Sequence, residues 1–184
     1  SNGELRKIKI IHALMQSPRL LIIENPLAGL DEAARQAMDL ILQNLLASFR
    51  PQVILVSTTL EDLPAGISHV LCVSDNQILA KGEREDVLNT PSVRHIFIDD
   101  QTTFVRSPGE LPIAPHPFSP ENKAVIEMKQ VSVRYQGISV LEDITWRMGA
   151  FEHWAILGPN GAGKSTLLSL VLADNPQAYA NDIK

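Results

Sequence analysis

The chain has 184 residues, 45% of them hydrophobic, which suffices for one domain or for parts of two. A formal net charge of −5 without a dense Lys/Arg run argues against nonspecific binding to nucleic acid or anionic lipid. The single cysteine, Cys72, excludes an internal disulfide framework, no Cys/His spacing predicts zinc, and no apolar run or N-terminal pattern predicts a membrane span or signal peptide.

The first part of the chain has the pattern of an α/β domain. Helical spacing of apolar residues predicts a helix over residues 3–15 that starts at or before residue 1. Two apolar, β-rich runs at residues 20–23 and 53–57 flank a long helix predicted over residues 32–49. Because strands that are apolar throughout are typical of parallel sheets, we expect a parallel sheet covered on both faces.

A hairpin and a linker follow. Alternating residues around Asp75 and Asn76 predict a β-hairpin, and a short helix is predicted over residues 84–88. Residues 99–123 contain five prolines and little periodicity, which is typical of an extended linker.

The last part of the chain begins a second pattern. Residues 124–135 and 139–148 read as antiparallel strands, and residues 153–157 as a buried strand. A glycine-rich loop comes next, and an apolar helix is predicted over residues 164–172.

The glycine-rich loop matches the phosphate-binding pattern G-x-x-x-x-G-K-[ST], with a strand before it and a helix after it. Its glycines allow backbone N–H groups to form an anion-binding nest at a helix N-terminus. Lys164 would reach the β- and γ-phosphates of ATP, and Ser165 would hold Mg²⁺. A ligand-free turn is the disfavoured alternative. The predicted nucleotide-binding residues are Gly158, Pro159, Asn160, Gly161, Ala162, Gly163, Lys164, Ser165 and Thr166.

The motifs "GPNGAGKSTLL" and "SNGELRK…SPRLLIIENPLAGLD", together with an upstream Tyr135, resemble the ATP-binding cassette (ABC) ATPases, α/β P-loop proteins. The resemblance implies that Tyr135 stacks on adenine, unless it is an ordinary packing tyrosine. It also implies a signature segment at a helix N-terminus, facing the γ-phosphate of a nucleotide held by the opposite domain, unless the segment is a simple helix cap. The signature residues would be Ser1, Asn2, Gly3 and Glu4.

The same resemblance places Glu24 and Asn25 where the family has an Asp that holds Mg²⁺ and a Glu that polarises water. Thr58 stands where the family has its switch histidine. Asn25 cannot act as a base, although its amide could orient a water. Leu30 and Asp31 match the D-loop at the domain interface. The alternative for all these positions is that they are sheet ends and turns.

The motifs occur in reverse of the family's order, which predicts a tandem protein. Residues 1–98 would be the C-terminal half of one ABC domain, residues 99–123 a linker, and residues 124–184 the start of the next domain. Glu24, Asn25 and Thr58 would then belong to a different composite site from the P-loop. Residues 146–183 resemble most closely the tandem ModF (PhrA, photorepair) proteins, associated with molybdenum transport, although Phe151 stands where that family usually has glycine.

The resemblance therefore implies an ATPase that uses ATP and Mg²⁺ as part of a tandem ABC protein. Its expected partners are a second ABC domain or dimer partner and, in a molybdate-type transport system, a membrane permease subunit; nucleic acid is not expected. Its expected location is cytoplasmic, with the inner face of the membrane as a place of peripheral attachment. The alternatives are a non-transport tandem protein linked to translation or repair, and a chain inactive on its own because its half-sheets lack partner strands.

Overall fold

The computed structural model describes residues 2–48, 50–97, 124–180 and 182–183. The helices are α1 Asn2–Met15, α2 Glu32–Leu46, α3 Arg84–Leu88, α4 Pro91–Phe97, α5 Lys164–Val171 and a 3-10 helix, Pro176–Ala180. The strands are β1 Leu20–Glu24, β2 Gln52–Ser57, β3 His69–Ser74, β4 Gln77–Glu83, β5 Ala124–Tyr135, β6 Ile138–Gly149, β7 Trp154–Leu157 and β8 Asp182–Ile183. The fold is α/β, as expected, and the linker predicted at residues 99–123 lies outside the described residues.

Five strands form the central sheet in the order β1-β2-β7-β3-β4. The first four run parallel, and β4 pairs antiparallel with β3. Strands β6, β5 and β8 form a second, antiparallel sheet. Because β2 and β7 are buried along their whole length, the parallel sheet is covered on both faces, which confirms the prediction made from their apolar runs.

Alternation along the central strands divides the interior into two cores. In β2, Val53 and Leu55 face a core formed with α1, α2, α3 and α4. The intervening Ile54 and Val56 face a core formed with the antiparallel sheet and α5. The molecule therefore has a helical layer, a central sheet, and a third layer of β5, β6 and α5.

The position of β7 differs from the expectation that the two parts of the chain belong to separate half-sheets. Leu55 and Val56 of β2 pair with Ala155 and Ile156 of β7. On the other side, Leu71 pairs with Ile156. The physical reason is that β7 is apolar on both faces and offers hydrogen bonds on both edges, so it fills the gap that β2 and β3 leave between them. The half-sheets thus supply each other's missing partner.

Two turns show how individual residues close this fold. Asp75 and Asn76 have φ of 48° and 66°, the left-handed conformation that a tight hairpin requires, and this confirms the predicted turn. Phe151 also has a positive φ, 71°, where the resemblance expects glycine. There the Glu152 carboxylate accepts a hydrogen bond from the backbone N–H of Gly149 at 2.7 Å, which closes the turn.

Candidate functional site

The phosphate-binding loop follows β7 and leads into α5. Gly161 and Gly163 have φ of 85° and 94°, a region that side chains with a Cβ rarely enter. A Cβ at Gly158 would lie 2.4 Å from the backbone oxygen of Val73, and one at Gly163 would lie 2.8 Å from that of Val140. Glycine is therefore required at these places by conformation and by the close approach of neighbouring backbone, as a phosphate nest needs.

Lys164, the first residue of α5, is only 7% exposed. Its ammonium group donates hydrogen bonds to the backbone oxygens of Gly158 at 2.7 Å and Pro159 at 2.9 Å. Burial lowers the pKa of Lys164, while the negative charge of Glu24 acts in the opposite direction. The side chain is thus folded back over its own loop, with its charge at the centre of the site.

A cavity of about 320 Å³ opens beside this loop. Its lining combines both parts of the chain: Glu24, Asn25, Thr58, Val140, Asn160, Gly161, Gly163, Lys164, Ser165 and Thr166. Glu24 and Thr58 stand at or just past the carboxyl ends of β1 and β2, and the loop follows the carboxyl end of β7. Since parallel strands end at the same edge of a sheet, the insertion of β7 is what brings these groups together.

Glu24, Asn25 and Thr58 lie beside the phosphate-binding loop in this structure, whereas the tandem interpretation assigns them to a different composite site. They share the cavity with Lys164. Asn25 has a φ of 44°, which asparagine tolerates better than most residues, and its backbone N–H donates to the backbone oxygen of Val56 at 2.8 Å. Its amide side chain is held at the end of the sheet, where it can orient a ligand or a water but cannot take a proton.

The oxygen ligands around this cavity suit magnesium rather than a metal ion that is coordinated by protein side chains alone. Glu24 supplies a carboxylate and Ser165 a hydroxyl, both oxygen ligands of the kind that Mg²⁺ accepts while it keeps waters and binds phosphates. Within the described ranges no three His, Cys, Asp or Glu side chains are grouped so as to hold a metal ion by themselves. A magnesium ion here would be shared between Glu24, Ser165 and the phosphates of a nucleotide.

The residues predicted to form the D-loop make defined contacts in the structure. Asp31 is the N-cap of α2, and its carboxylate accepts a hydrogen bond from the backbone N–H of Ala34 at 2.8 Å. Just before it, the backbone oxygens of Pro26 and Ala28 accept hydrogen bonds from Arg6 of α1, at 3.1 and 2.6 Å. Leu30 packs against the helical core. This segment is anchored to α1 and α2.

The predicted signature and the predicted adenine contact are placed elsewhere. Ser1 and the side chain of Asn2 lie outside the described residues, and Gly3 and Glu4 stand in the first turn of α1 without lining the cavity. Tyr135, at the end of β5, is 46% exposed and also does not line it. The Tyr135 hydroxyl accepts a hydrogen bond from the buried amide of Asn175 at 2.7 Å.

Sequence reasoning missed Val140 as a lining residue. Val140 belongs to β6 and reaches the cavity because β6 passes beside the loop, with its backbone oxygen close to Gly163. Its only sequence signal is its place in an apolar strand shortly before the motif. Over the ranges that the structure describes, no helix is long and apolar enough to cross a membrane.

Comparisons with known proteins identify the family to which these motifs belong. A family model described as "ABC transporter" matches residues 141–183. The ABC transporter ATP-binding protein ModF of Escherichia coli is 36% identical over all of this chain and 37% of its own length, and an uncharacterized ABC transporter ATP-binding protein of Schizosaccharomyces pombe is 30% identical over all of this chain and 36% of its own. The molybdenum import ATP-binding protein ModC of Rhizobium etli is 34% identical over 50% of this chain and 26% of its own length.

The chain thus spans less than two fifths of the two relatives that match it throughout. No solved structure matches it. The match over the whole chain covers both the part that supplies Glu24 and the part that supplies the phosphate-binding loop. The chain belongs to the ATP-binding proteins of the ABC transporter family, and over its whole length it is similar to ModF.

Proposed function

We propose that this chain binds ATP with Mg²⁺ in the cavity between the phosphate-binding loop and the ends of β1 and β2. The observation that carries the proposal is the shared lining, in which Lys164 and Ser165 stand with Glu24, Asn25 and Thr58. The cavity has an anion nest, a cation and oxygen ligands for magnesium, which are the parts that bind a nucleoside triphosphate.

Each residue then has a defined task. Lys164 leaves the backbone oxygens of Gly158 and Pro159 and donates to the β- and γ-phosphates instead. Ser165 and Glu24 would hold a magnesium ion, which would supply positive charge to the phosphates. Asn25 and Thr58 contact the γ-phosphate end without supplying a base. We therefore propose that this site binds ATP and hydrolyses it only slowly, so that the chain alone has little ATPase activity.

For the whole protein we propose a tandem ABC ATPase. Residues 1–98 and 124–184 would be parts of two ABC domains joined by the linker at 99–123, with the signature residues Ser1 to Glu4 and the D-loop at the domain interface. The name of ModC, a molybdenum import ATP-binding protein, supports a molybdate-type transport system, with a permease subunit as partner and a cytoplasmic place at the inner face of the membrane. A tandem protein that does not transport is the second candidate, favoured by nothing on the described surface.

The binding proposal is tested by calorimetry with Mg·ATP on the 184-residue chain. We expect saturable binding in the wild-type chain and at least a tenfold loss of affinity in Lys164→Ala, because a charge-assisted contact to phosphate is removed. Lys9→Ala is the matched control, since Lys9 is an exposed lysine of α1 that does not line the cavity. Equal affinities in Lys164→Ala and the wild type would refute the assignment of the loop.

A further inference from the structure

The hairpin that joins β5 to β6 carries exposed apolar side chains close to the nucleotide cavity. Val140 of β6 lines that cavity, and the exposed Ile138 precedes it by two residues, about 7 Å along the strand. Ile138 stands directly opposite Tyr135 of β5, whose side chain is also exposed. Because opposed residues of an antiparallel pair lie on the same face, Tyr135 and Ile138 form one apolar surface at the tip of the hairpin.

The hydroxyl of Tyr135 is held by a buried amide. Asn175, which follows the end of α5, is 3% exposed and donates from its amide nitrogen to the Tyr135 hydroxyl at 2.7 Å. The same nitrogen donates to the Ser169 hydroxyl at 3.1 Å, and the amide oxygen accepts from the Gln177 N–H at 3.0 Å. Since both its nitrogen and its oxygen are engaged, the Asn175 side chain is fixed in one orientation.

The same amide is connected to the phosphate-binding helix. Ser169 of α5 accepts from Asn175 and donates from its hydroxyl to the backbone oxygen of Thr166 at 2.7 Å. Thr166 lines the nucleotide cavity. A path of hydrogen bonds therefore runs from the cavity through Ser169 and Asn175 to Tyr135.

A second contact fixes the backbone just before Tyr135. The side-chain amide of Gln177 accepts from the Arg134 N–H at 3.2 Å and donates to the Arg134 backbone oxygen at 2.7 Å. Gln177 is itself tied to Asn175 through its backbone N–H. The end of β5 and the outer end of the Tyr135 ring are thus both held by the segment that follows α5.

We propose that Asn175 is a positioning residue for the nucleotide, which holds Tyr135 in a fixed place relative to the phosphate-binding helix so that the base of ATP packs on Tyr135 and Ile138. The inference rests on the proposed function, because it requires the triphosphate to occupy the cavity beside Lys164. The base of a nucleotide extends away from its phosphates, and an aromatic ring offers it a stacking surface. A ring that is fixed before binding loses less conformational freedom when the base arrives, so the contact with Asn175 raises affinity.

The test compares Mg·ATP with magnesium tripolyphosphate, which has neither ribose nor base, by calorimetry on the 184-residue chain. Tyr135→Phe keeps the ring but removes the oxygen that accepts from Asn175, and Asn175→Ala removes the donor. We expect each variant to bind Mg·ATP about fivefold more weakly and to bind tripolyphosphate within about twofold of the wild type. The double variant should bind Mg·ATP no more weakly than Asn175→Ala, because both changes remove the same contact.

Asn89→Ala serves as the control, since Asn89 is an exposed asparagine at the end of α3 that does not line the cavity, and it should leave both affinities unchanged. Wild-type affinity for Mg·ATP in Tyr135→Phe, in a chain that binds tripolyphosphate, would overturn the role of Asn175 and leave the proposed function standing. An equal loss for both ligands would overturn it too, because Asn175 would then only keep α5 in place. A wild-type chain that binds neither ligand would refute the proposed function itself, and Asn175 would have no nucleotide to position.

Discussion

The imidazole Nδ1 of His153 lies 3.1 Å from the backbone nitrogen of Val53 and accepts its hydrogen bond, although the two residues are 100 positions apart. Because Nδ1 accepts, Nε2 carries the proton and donates to the backbone oxygen of Ser48 at 3.2 Å. The backbone oxygen of His153 accepts from the N–H groups of Ser68 and His69 on the other side. One buried residue therefore links the start of β7 to both of the strands between which β7 lies.

Replacement of His153 should weaken the contact between the start of β7 and its neighbours β2 and β3, and so lower the stability of the fold. His153→Leu keeps the volume but leaves the buried Val53 N–H and the Ser48 oxygen without partners, so we expect a loss of about 2–4 kcal/mol in the free energy of unfolding. Urea denaturation followed by circular dichroism measures it. His12→Gln, an exposed histidine of α1, is the control and should change stability by less than about 0.5 kcal/mol. A His153→Leu chain as stable as the control would contradict the role given to this residue.

The polar residues at the ends of β1 and β2 should limit hydrolysis. Asn25→Glu with Thr58→His restores the residue types of the family, and a restored base should raise turnover about 100-fold or more. The φ of 44° at position 25 suits asparagine, so the same change should cost about 1 kcal/mol of stability. Steady-state phosphate release measures the rate.

The control for that change is Asn25→Gln with Thr58→His, which carries the same backbone strain and the same histidine but has no carboxylate at position 25. We expect its turnover to stay near that of the wild type. If both double variants hydrolyse ATP equally fast, position 25 does not limit the reaction.

Asp31 should contribute to stability through its cap as well as through any interface. Asp31→Ala removes the acceptor for the Ala34 N–H and should lower the free energy of unfolding by about 1 kcal/mol. Asp31→Asn keeps a capping oxygen and should retain most of the stability. Thermal unfolding of the two variants distinguishes them, and equal melting temperatures would show that the cap contributes nothing.

The reactivity of the Cys72 thiol tests whether strand β3 is covered in the folded chain. Cys72 is fully buried in β3 next to Leu157 of β7, and burial raises the pKa of its thiol to about 12 from 9.0. A thiol reagent at pH 8 should therefore react with Cys72 at least 100-fold more slowly in the folded chain than in urea. Since the folded thiol keeps its proton while an unfolded one loses it, this group lowers stability as pH rises from about 9 to 12. Labelling at the same rate in both states would show that β3 is not covered.

Much of the local structure could be predicted from the sequence. Strands β1 to β7, the hairpin at Asp75 and the loop around Lys164 follow from apolar periodicity and turn residues, which act over short distances, whereas β8 was not predicted. Helix α4 was missed because it begins at Pro91 and has only seven residues, too few for a helical periodicity of apolar residues to be recognised.

The residues of the site could be identified from the sequence, but the way in which they come together in space could not. Glu24, Asn25 and Lys164 carry motif signals, whereas nothing in a four-residue apolar run tells which strands β7 will join. His153 belongs to no motif, and the indole N–H of Trp146, which is buried without an acceptor among the described residues, has no sequence signal at all. Long-range pairing decides such features, and pattern reasoning does not reach them.

The insertion of β7 between β2 and β3 is the claim on which the shared cavity depends. Nuclear Overhauser effects between methyl groups of selectively labelled chains test it most directly. We predict effects between Leu55 and Ala155 and between Leu71 and Ile156. Their intensity per labelled chain should stay the same when labelled chains are diluted with unlabelled ones. Their absence, or their appearance between differently labelled chains, would contradict a site in which one chain brings Lys164 to Asn25.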